Sequence, residues 1–306
     1  MTANAWHPER EIEIVAGTPP GGGLDRSARA LAAAIADRKL LDVPVKVVNI
    51  PGDGARKAWG YIDRHAGDPH VLSISSPNLT TDHLVGIAAF DQNSYTPLAI
   101  LYTEYIAFVV RRDSSIRNAD DLVKRLRADP ARVTVALSTA LGNPNHIALA
   151  QVVRHAGGDP RAPAIRVFDS ALDAVADVVA GHAHVGAVTA ASAVRELGAG
   201  TLRTLAVSSP ARLPGVFANA PTWREASVDC AIGAWRGVSG ATGIDPPQIA
   251  FWQKICVAAV TSAAWRAELA RHYWTEAYLD GAALLEYLER EREEMRAILG
   301  ALALLR

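Results

Sequence analysis

The sequence predicts an α/β protein of two domains, and three observations carry that prediction. The chain is 306 residues long, beyond the roughly 250–300 residues at which a single core stops growing. Strand-like segments alternate with helix-like ones, the pattern of a parallel α/β sheet. The alternation then restarts in mid-chain, as a second unit built like the first would require.

The first unit opens on Glu11-Ile-Glu-Ile-Val15, where polar and apolar residues alternate as on a half-buried strand. Pro19 and Pro20 end it, and Gly21-Gly22-Gly23 form a loop. Asp25 is read as the N-cap of a helix from Arg26 to Ile35, rich in strong helix formers. Val43–Ile50 reads as a second strand closed by Pro51-Gly-Asp-Gly54, the stretch 55–65 as a helix and His70–Ser75 as a third strand. The second unit repeats the order: strand Arg132–Leu137, polar loop Ser138–Asn145, helix His146–Ala156, strand Ile165–Phe168, helix Ser170–Gly181 and strand His184–Val188. The apolar segments Leu98–Val110 and Leu202–Val207 are expected to carry the chain between the units. Helices over 246–261, 263–272 and 282–301 end the chain. The last one is dense in charge (Glu286, Glu289, Arg290, Glu291, Arg292, Glu293, Glu294), which reads as a solvated face.

Composition narrows the function classes. Half of the residues are apolar and 21% are charged, enough to fill two cores. The 31 basic and 32 acidic residues nearly cancel, with no basic stripe, so nucleic acid is not an expected partner. Cys230 and Cys256 permit one disulfide that nothing in their spacing demands, and read more simply as two buried free thiols; they show no metal-ligand spacing, and no metal or cofactor is expected. The first residues, Met1-Thr-Ala-Asn-Ala-Trp-His-Pro8, have neither the positive nor the apolar region of an export signal, and no stretch is apolar enough to span a bilayer. The chain as it stands reads as soluble.

The glycine loop is the sharpest local signal. Three glycines between a strand and a helix N-terminus let backbone N–H groups face an anion, aided by the helix dipole. Phosphate motifs do not fit: Gly23 is followed by Leu24-Asp25, not by Lys-Ser/Thr, and a dinucleotide fingerprint lacks its third glycine. Asp25 would repel an anion, which favours the capping role. A second loop, Ser138-Thr-Ala-Leu-Gly-Asn-Pro-Asn145, also joins strand to helix and offers hydroxyls and amides, neutral donors for a carboxylate. Ser75-Ser-Pro-Asn78 holds the same kind of place after the third strand, where open α/β sheets bind ligands. Tyr102, Tyr105 and Trp235 read first as core aromatics, and Arg236 as either a ligand cation or a salt-bridge partner. No GxSxG, HExxH or other nucleophile signature is present, so no catalytic residue is assigned.

Several spaced motifs carry a family resemblance: Pro20-Gly-Gly-Gly-Leu-Asp25, Val48-Asn-Ile-Pro-Gly-Asp-Gly54, Ser75-Ser-Pro-Asn78 and Thr103-Glu-Tyr105. Further on come Leu141-Gly-Asn-Pro-Asn-His146, Leu205-Ala-Val-Ser-Ser209 with Arg212-Leu-Pro214, Pro221-Thr-Trp223 and Trp235-Arg-Gly237. The sequence resembles the periplasmic receptor subunits of tripartite tricarboxylate transporters, the group that includes the Bordetella-type uptake receptors. The resemblance runs nearly end to end. It implies a type II periplasmic-binding-protein fold, with a hinge and an interdomain ligand cleft. Domain one would comprise residues 1–108 and 222–306, domain two residues 109–221. It further implies periplasmic location, a monomer, a small carboxylate as ligand and membrane permease subunits as partners.

By position, the resemblance points to Thr18, Gly21, Gly22, Ser76 and Asn78 as ligand-binding in domain one. In domain two it points to Ser138, Thr139, Gly142, Asn143 and His146, with Thr189 and Ala190 in the loop after His184–Val188. Thr18 stands where many members carry an apolar or aromatic residue. Two other readings stay open on the residues alone: an α/β hydrolase or transferase using Ser138 or His146, and a sensor presenting its closed form to a signalling partner.

Overall fold

The structure, a computed structural model, describes residues 6–305; the reading of the N-terminal segment falls partly on residues 1–5, outside the described residues. The elements run β1 (Ile12–Ala16), α1 (Gly23–Asp37), β2 (Val45–Asn49), α2 (Arg56–Asp63), β3 (Val71–Ser75), α3 (Asn78–Leu84), β4 (Thr96–Arg111) and α4 (Ala119–Ala128). They continue with β5 (Thr134–Ser138), α5 (Pro144–His155), β6 (Ala164–Phe168), α6 (Ala171–Val179), β7 (Val185–Thr189), α7 (Ala190–Gly198) and β8 (Leu202–Val207). The last are β9 (Gly233–Gly240), α8 (Pro246–Val260), α9 (Ala263–His272), β10 (Thr275–Asp280) and α10 (Gly281–Ala301). The α/β class is as the sequence predicts.

The chain divides into two compact units. The first holds the described residues up to Thr80, Ala88–Thr103 and Trp235–Glu293; the second holds Thr81–Ile87, Glu104–Ala234 and 294–305. In the first unit β1 pairs in parallel with β2 and β3, and β9 lies antiparallel to β3 with Ser73 opposite Ser239. Its core joins the sheet residues Ile12, Ile14 and Leu72 to Leu31 of α1, Trp252 of α8 and Trp265 of α9. In the second unit β5 pairs in parallel with β6 and β7, while β4 runs antiparallel to β7 and β8. There α5 is the central helix, burying Ile147, Leu149, Val152 and Val153 with Phe108, Trp223 and Leu299.

Both sheets are therefore mixed rather than parallel throughout, and the physical reason lies in the segments that return to them. Only the β-α-β runs are bound to be parallel, because a crossover helix brings the next strand back in the same direction. The opposite sense comes from strands reached by other routes: β9 runs antiparallel to β3, β10 to β4, and β4 to β7 and β8, which share one direction across α7. Leu98–Val110 does pass from one unit to the other, within β4. Leu202–Val207 does not: it is β8, inside the second unit, and the return passage falls at Ala234–Trp235, in β9.

β9 left no strand signature because it reads Gly-Ala-Trp-Arg-Gly-Val-Ser-Gly, and glycine is poor in strands. Gly237 is needed there: a Cβ at this position would lie 2.5 Å from the carbonyl oxygen of Ala99. The charged C-terminal helix also holds a correction. Glu291 is not on the solvated face but buried, where its Oε1 accepts a 2.6 Å hydrogen bond from the indole N–H of Trp235. Tyr102 is core, stacked on Trp274 at 3.9 Å with its hydroxyl 2.6 Å from Ser27 Oγ. Both cysteines are buried free thiols, and burial pushes each thiol up to about 12.

Candidate binding site

The glycine loop is built by a helix that starts earlier than the sequence predicts. α1 begins at Gly23, and its N-cap is Gly22, extended at φ −70° and ψ 170°. Asp25 is thus not the cap but the third helical residue, and its buried carboxylate is turned back onto the loop. It accepts hydrogen bonds from the Gly21 N–H at 2.7 Å, Asn49 Nδ2 at 2.8 Å and Arg29 Nε at 3.0 Å. Burial alone would raise this carboxyl; the bonds from Arg29, Asn49 and Gly21 outweigh it and hold the group below its ordinary value. Gly21 can be held this way because it sits at φ +81°, a region open to glycine.

These contacts decide which donors remain. The N–H of Gly21 is taken by Asp25 and that of Gly22 by the carbonyl of Pro19 at 2.9 Å. Thr18 is buried, and its Oγ1 accepts the Asp25 N–H at 3.1 Å while Asn49 Nδ2 holds its carbonyl at 2.9 Å. Among the described residues, the loop's N–H groups without a protein acceptor are those of Gly23 and Leu24, the first two of α1. The open N–H groups thus lie in the first turn of the helix rather than at Gly21 and Gly22. The sequence did not bring out Asn49 and Arg29, which tie the loop down. Asn49 lay inside a quoted motif, but its amide offers no local pattern that names its partners.

Ser76 and Asn78 stand at the same end of this unit's sheet, both buried. The Ser76 carbonyl accepts the Leu79 N–H at 3.1 Å, and Asn78 opens α3. Gly22 leaves no room for a side chain, since a Cβ there would lie 2.6 Å from both Cβ and Oγ1 of Thr18.

In the second unit the expected loop is a self-bonded turn between β5 and α5. Asn143 is the N-cap of α5, its Oδ1 accepting the His146 N–H at 3.0 Å. Its Nδ2 donates to the Ser138 carbonyl at 2.6 Å and to Thr139 Oγ1 at 2.7 Å. Ser138 Oγ accepts from Asn145 Nδ2 at 3.2 Å. Thr139 is held at φ +69° and Gly142 at φ +85°. The helix begins at Pro144, two residues before the predicted start, because Asn143 caps it and proline suits the first helical position.

His146 is buried, and its Nδ1 accepts the Gly142 N–H at 2.8 Å, which places the ring proton on Nε2. Burial lowers its pKa to about 4, so the imidazole is neutral at pH 7. Free of protein acceptors in this loop, among the described residues, are the N–H groups of Leu141, Asn143 and Asn145. Thr189 ends β7 and is the N-cap residue of α7, its Oγ1 3.0 Å from Ser192 Oγ; Ala190 is the first residue of that helix and fully buried. Arg236, the one ambiguous arginine, is buried in β9 with Nη1 donating to the Trp235 carbonyl at 2.9 Å. Among the described residues, no group of three or more His, Cys, Asp and Glu could hold a metal.

Two α/β units, each ending a parallel strand in a small-residue loop at a helix N-terminus, define the class: a solute-binding protein of the periplasmic-binding fold. The profile of the family described as tripartite tricarboxylate transporter family receptor matches residues 28–304, and the chain belongs to that family. Its members are solute-binding receptors, not enzymes.

A curated relative, the UPF0065 protein of the tcbD–tcbE intergenic region of Pseudomonas sp. strain P51, is 27% identical over 223 residues. That match covers 72% of this chain and 64% of the relative, so the chain spans less than two thirds of that relative's length. A solved TctC solute-binding protein from Polaromonas is 26% identical, with a TM-score of 0.67 over 97% of this chain and 100% of that one. MatC from Rhodopseudomonas palustris, solved with bound malate, has a TM-score of 0.83 at 20% identity, over 95% of this chain and 99% of that one.

Proposed function

We propose that this protein is a periplasmic receptor that captures a small carboxylate and presents it to the membrane permease subunits of a tripartite transporter. The observation that carries the reading is the donor set. Each of two helix N-termini keeps N–H groups without protein acceptors, and each is flanked by neutral hydroxyls and amides. Such donors fit a carboxylate, which accepts several hydrogen bonds and gains from the positive end of a helix dipole. Family membership supports it, as does the malate held by the similarly folded MatC.

On this reading Gly23, Leu24, Ser76 and Asn78 serve the ligand from the first unit, with Thr18, Gly21 and Gly22 shaping the loop. From the second unit Ser138, Thr139, Asn143, Asn145 and the β7–α7 junction at Thr189 and Ala190 contribute, with Gly142 and His146 fixing the turn. The chain acts as a monomer. No helix among the described residues is long and apolar enough to cross a membrane. The permease subunits then supply the passage.

Calorimetry against malate, citrate, adipate, aromatic acids and amino acids tests the proposal. One carboxylate is expected to bind at a ratio of one to one without being turned over; no binding across the panel sinks it, and turnover moves it to an enzyme. Gly22→Asp is expected to abolish binding, because the new side chain meets Thr18 and brings a negative charge to the anion's donors. A Gly22→Asp variant that binds as well as the parent removes the loop from the site.

A further inference from the structure

The second unit carries a cavity of about 550 Å³ whose every wall comes from that unit. It opens beside the edge strand β6 and the N-terminus of α5, with Ile87, Leu141, Val167 and Leu305 at its walls. These four are half of the eight large hydrophobic side chains that the described residues leave exposed. Soluble proteins scatter such residues singly; their convergence on one concave site marks a binding surface.

The polar groups on its wall are few and of one kind. Arg161 lines it as a cation; its Nε and Nη2 hold Asp159 at 3.1 and 2.9 Å, leaving the Nη1 edge uncommitted among the described residues. His146 lines it as well, buried, with Nδ1 bound to Gly142 and no protein partner for Nε2, the nitrogen that carries the proton. An arginine paired with Asp159 on one edge and a buried ring therefore stand against an otherwise apolar lining.

We infer that this cavity is a second ligand site, taking an apolar chain or ring that ends in a carboxylate, of the size of a medium-chain fatty acid. The apolar body lies along Leu141, Ile165 and Val167, and the carboxylate meets Arg161, with the buried His146 ring in the wall behind it. Its volume falls in the range of roughly 300–1,000 Å³ usual for small-molecule sites. Charge complementarity selects an acid over a neutral amphiphile, because Arg161 keeps its Nη1 edge open beside its bonds to Asp159 and, among the described residues, no carboxylate lines the wall. The cavity borders the β5–α5 loop through Leu141, Gly142 and His146, while Ile87, Arg161 and Val167 lie outside both loops assigned to the small carboxylate, so changes at these three test the second site alone.

Titration calorimetry with decanoate, kept below its micelle concentration, tests the inference, with decan-1-ol and malate as parallel titrants. Decanoate is expected to bind one per chain, at least tenfold more tightly than decan-1-ol, and to perturb the His146 ring signals in nuclear magnetic resonance spectra. Val167→Glu and Ile87→Glu place an acid at the exposed rim and are expected to weaken decanoate at least tenfold, with circular dichroism and malate binding unchanged. Arg161→Gln is expected to weaken decanoate severalfold and leave decan-1-ol as it was. Absence of decanoate binding overturns the site, as does full binding to both rim variants. Equal affinity for decanoate and decan-1-ol overturns the acid assignment. Should one rim variant not fold, the other and the His146 signals decide.

Discussion

Asp25 and His146 are two buried residues whose titration the tertiary environment shifts downward, and they respond to acid in distinct windows. Asp25 is held below its ordinary value by hydrogen bonds from Arg29, Asn49 and Gly21 that outweigh its burial. A depressed folded pKa means stability that is present above the unfolded value, about 4, and lost as pH falls through the folded one. Asp25→Asn is expected to cost about 2 kcal/mol or more at pH 7, since it removes a buried charged acceptor from three donors. It should also flatten the loss of stability below pH ~4. Urea unfolding at pH 7 and pH 3.5 measures both.

His146 works the other way. Its folded pKa, about 4, lies below the unfolded value near 6.5, so the unfolded chain takes up the proton first. Stability is expected to fall as pH drops from about 6.5 to about 4, and His146→Gln should remove that slope while lowering stability at pH 7. A parent protein equally stable at pH 7 and pH 5 would contradict the buried neutral imidazole.

At the scale of elements, the turns into α1 and α5 decide where binding groups stand. Both helices start two or three residues before the sequence predicts, α5 because Asn143 caps it locally and α1 for a reason that lies outside the local pattern. Local pattern reads Asp25 as the cap, because aspartate before an apolar run is a common cap. The chain instead caps α1 from afar, with Thr18 Oγ1 seven residues upstream. Such a contact has no sequence signature. At α5 the turn is tight: Gly142 sits at φ +85°, and a Cβ would lie 2.5 Å from Val85 Cγ1. Gly142→Ala is expected to destabilise the second unit by roughly 1–3 kcal/mol, combining a strained backbone with overpacking. Thermal denaturation followed by circular dichroism, with a Gly157→Ala control at another positive φ but in open space, separates the two terms.

The β-α-β strands were legible because alternation and length speak for them. α4, α7, β9 and β10 were not. Five of the eight residues of β9 are glycine or polar, and β10 is a Thr-Glu-Ala-Tyr-Leu-Asp segment with exposed faces. Each is fixed by its neighbours in the sheet rather than by its own propensity. The motif residues fared unevenly for the same reason. Gly22, Asn143 and Ser138 stand in the predicted loops, yet which N–H groups stay open turned on Asp25, Asn49 and Thr18.

For the whole molecule, the receptor reading makes a thermodynamic prediction. A carboxylate that binds only the folded chain, supplied at a hundredfold over its Kd, is expected to add about 2.7 kcal/mol. At this chain length that raises the melting temperature by roughly 5 °C. Differential scanning fluorimetry over the same panel as the calorimetry checks it; a ligand that binds by calorimetry yet leaves the melting temperature unmoved would not be held by the folded units.

By itself, the sequence determined the α/β class, the two-unit chain, the family and the two strand-to-helix loops, since these rest on local periodicity, loop composition and spaced motifs. Tertiary structure alone decided the mixed strand directions, the inward turn of Glu291, the donors left open at each helix start and the apolar cavity beside β6. Those depend on residues far apart in the chain meeting in space. Asp25 and Asn49, 24 residues apart, join in one hydrogen bond, and no window on the sequence contains the reason for it.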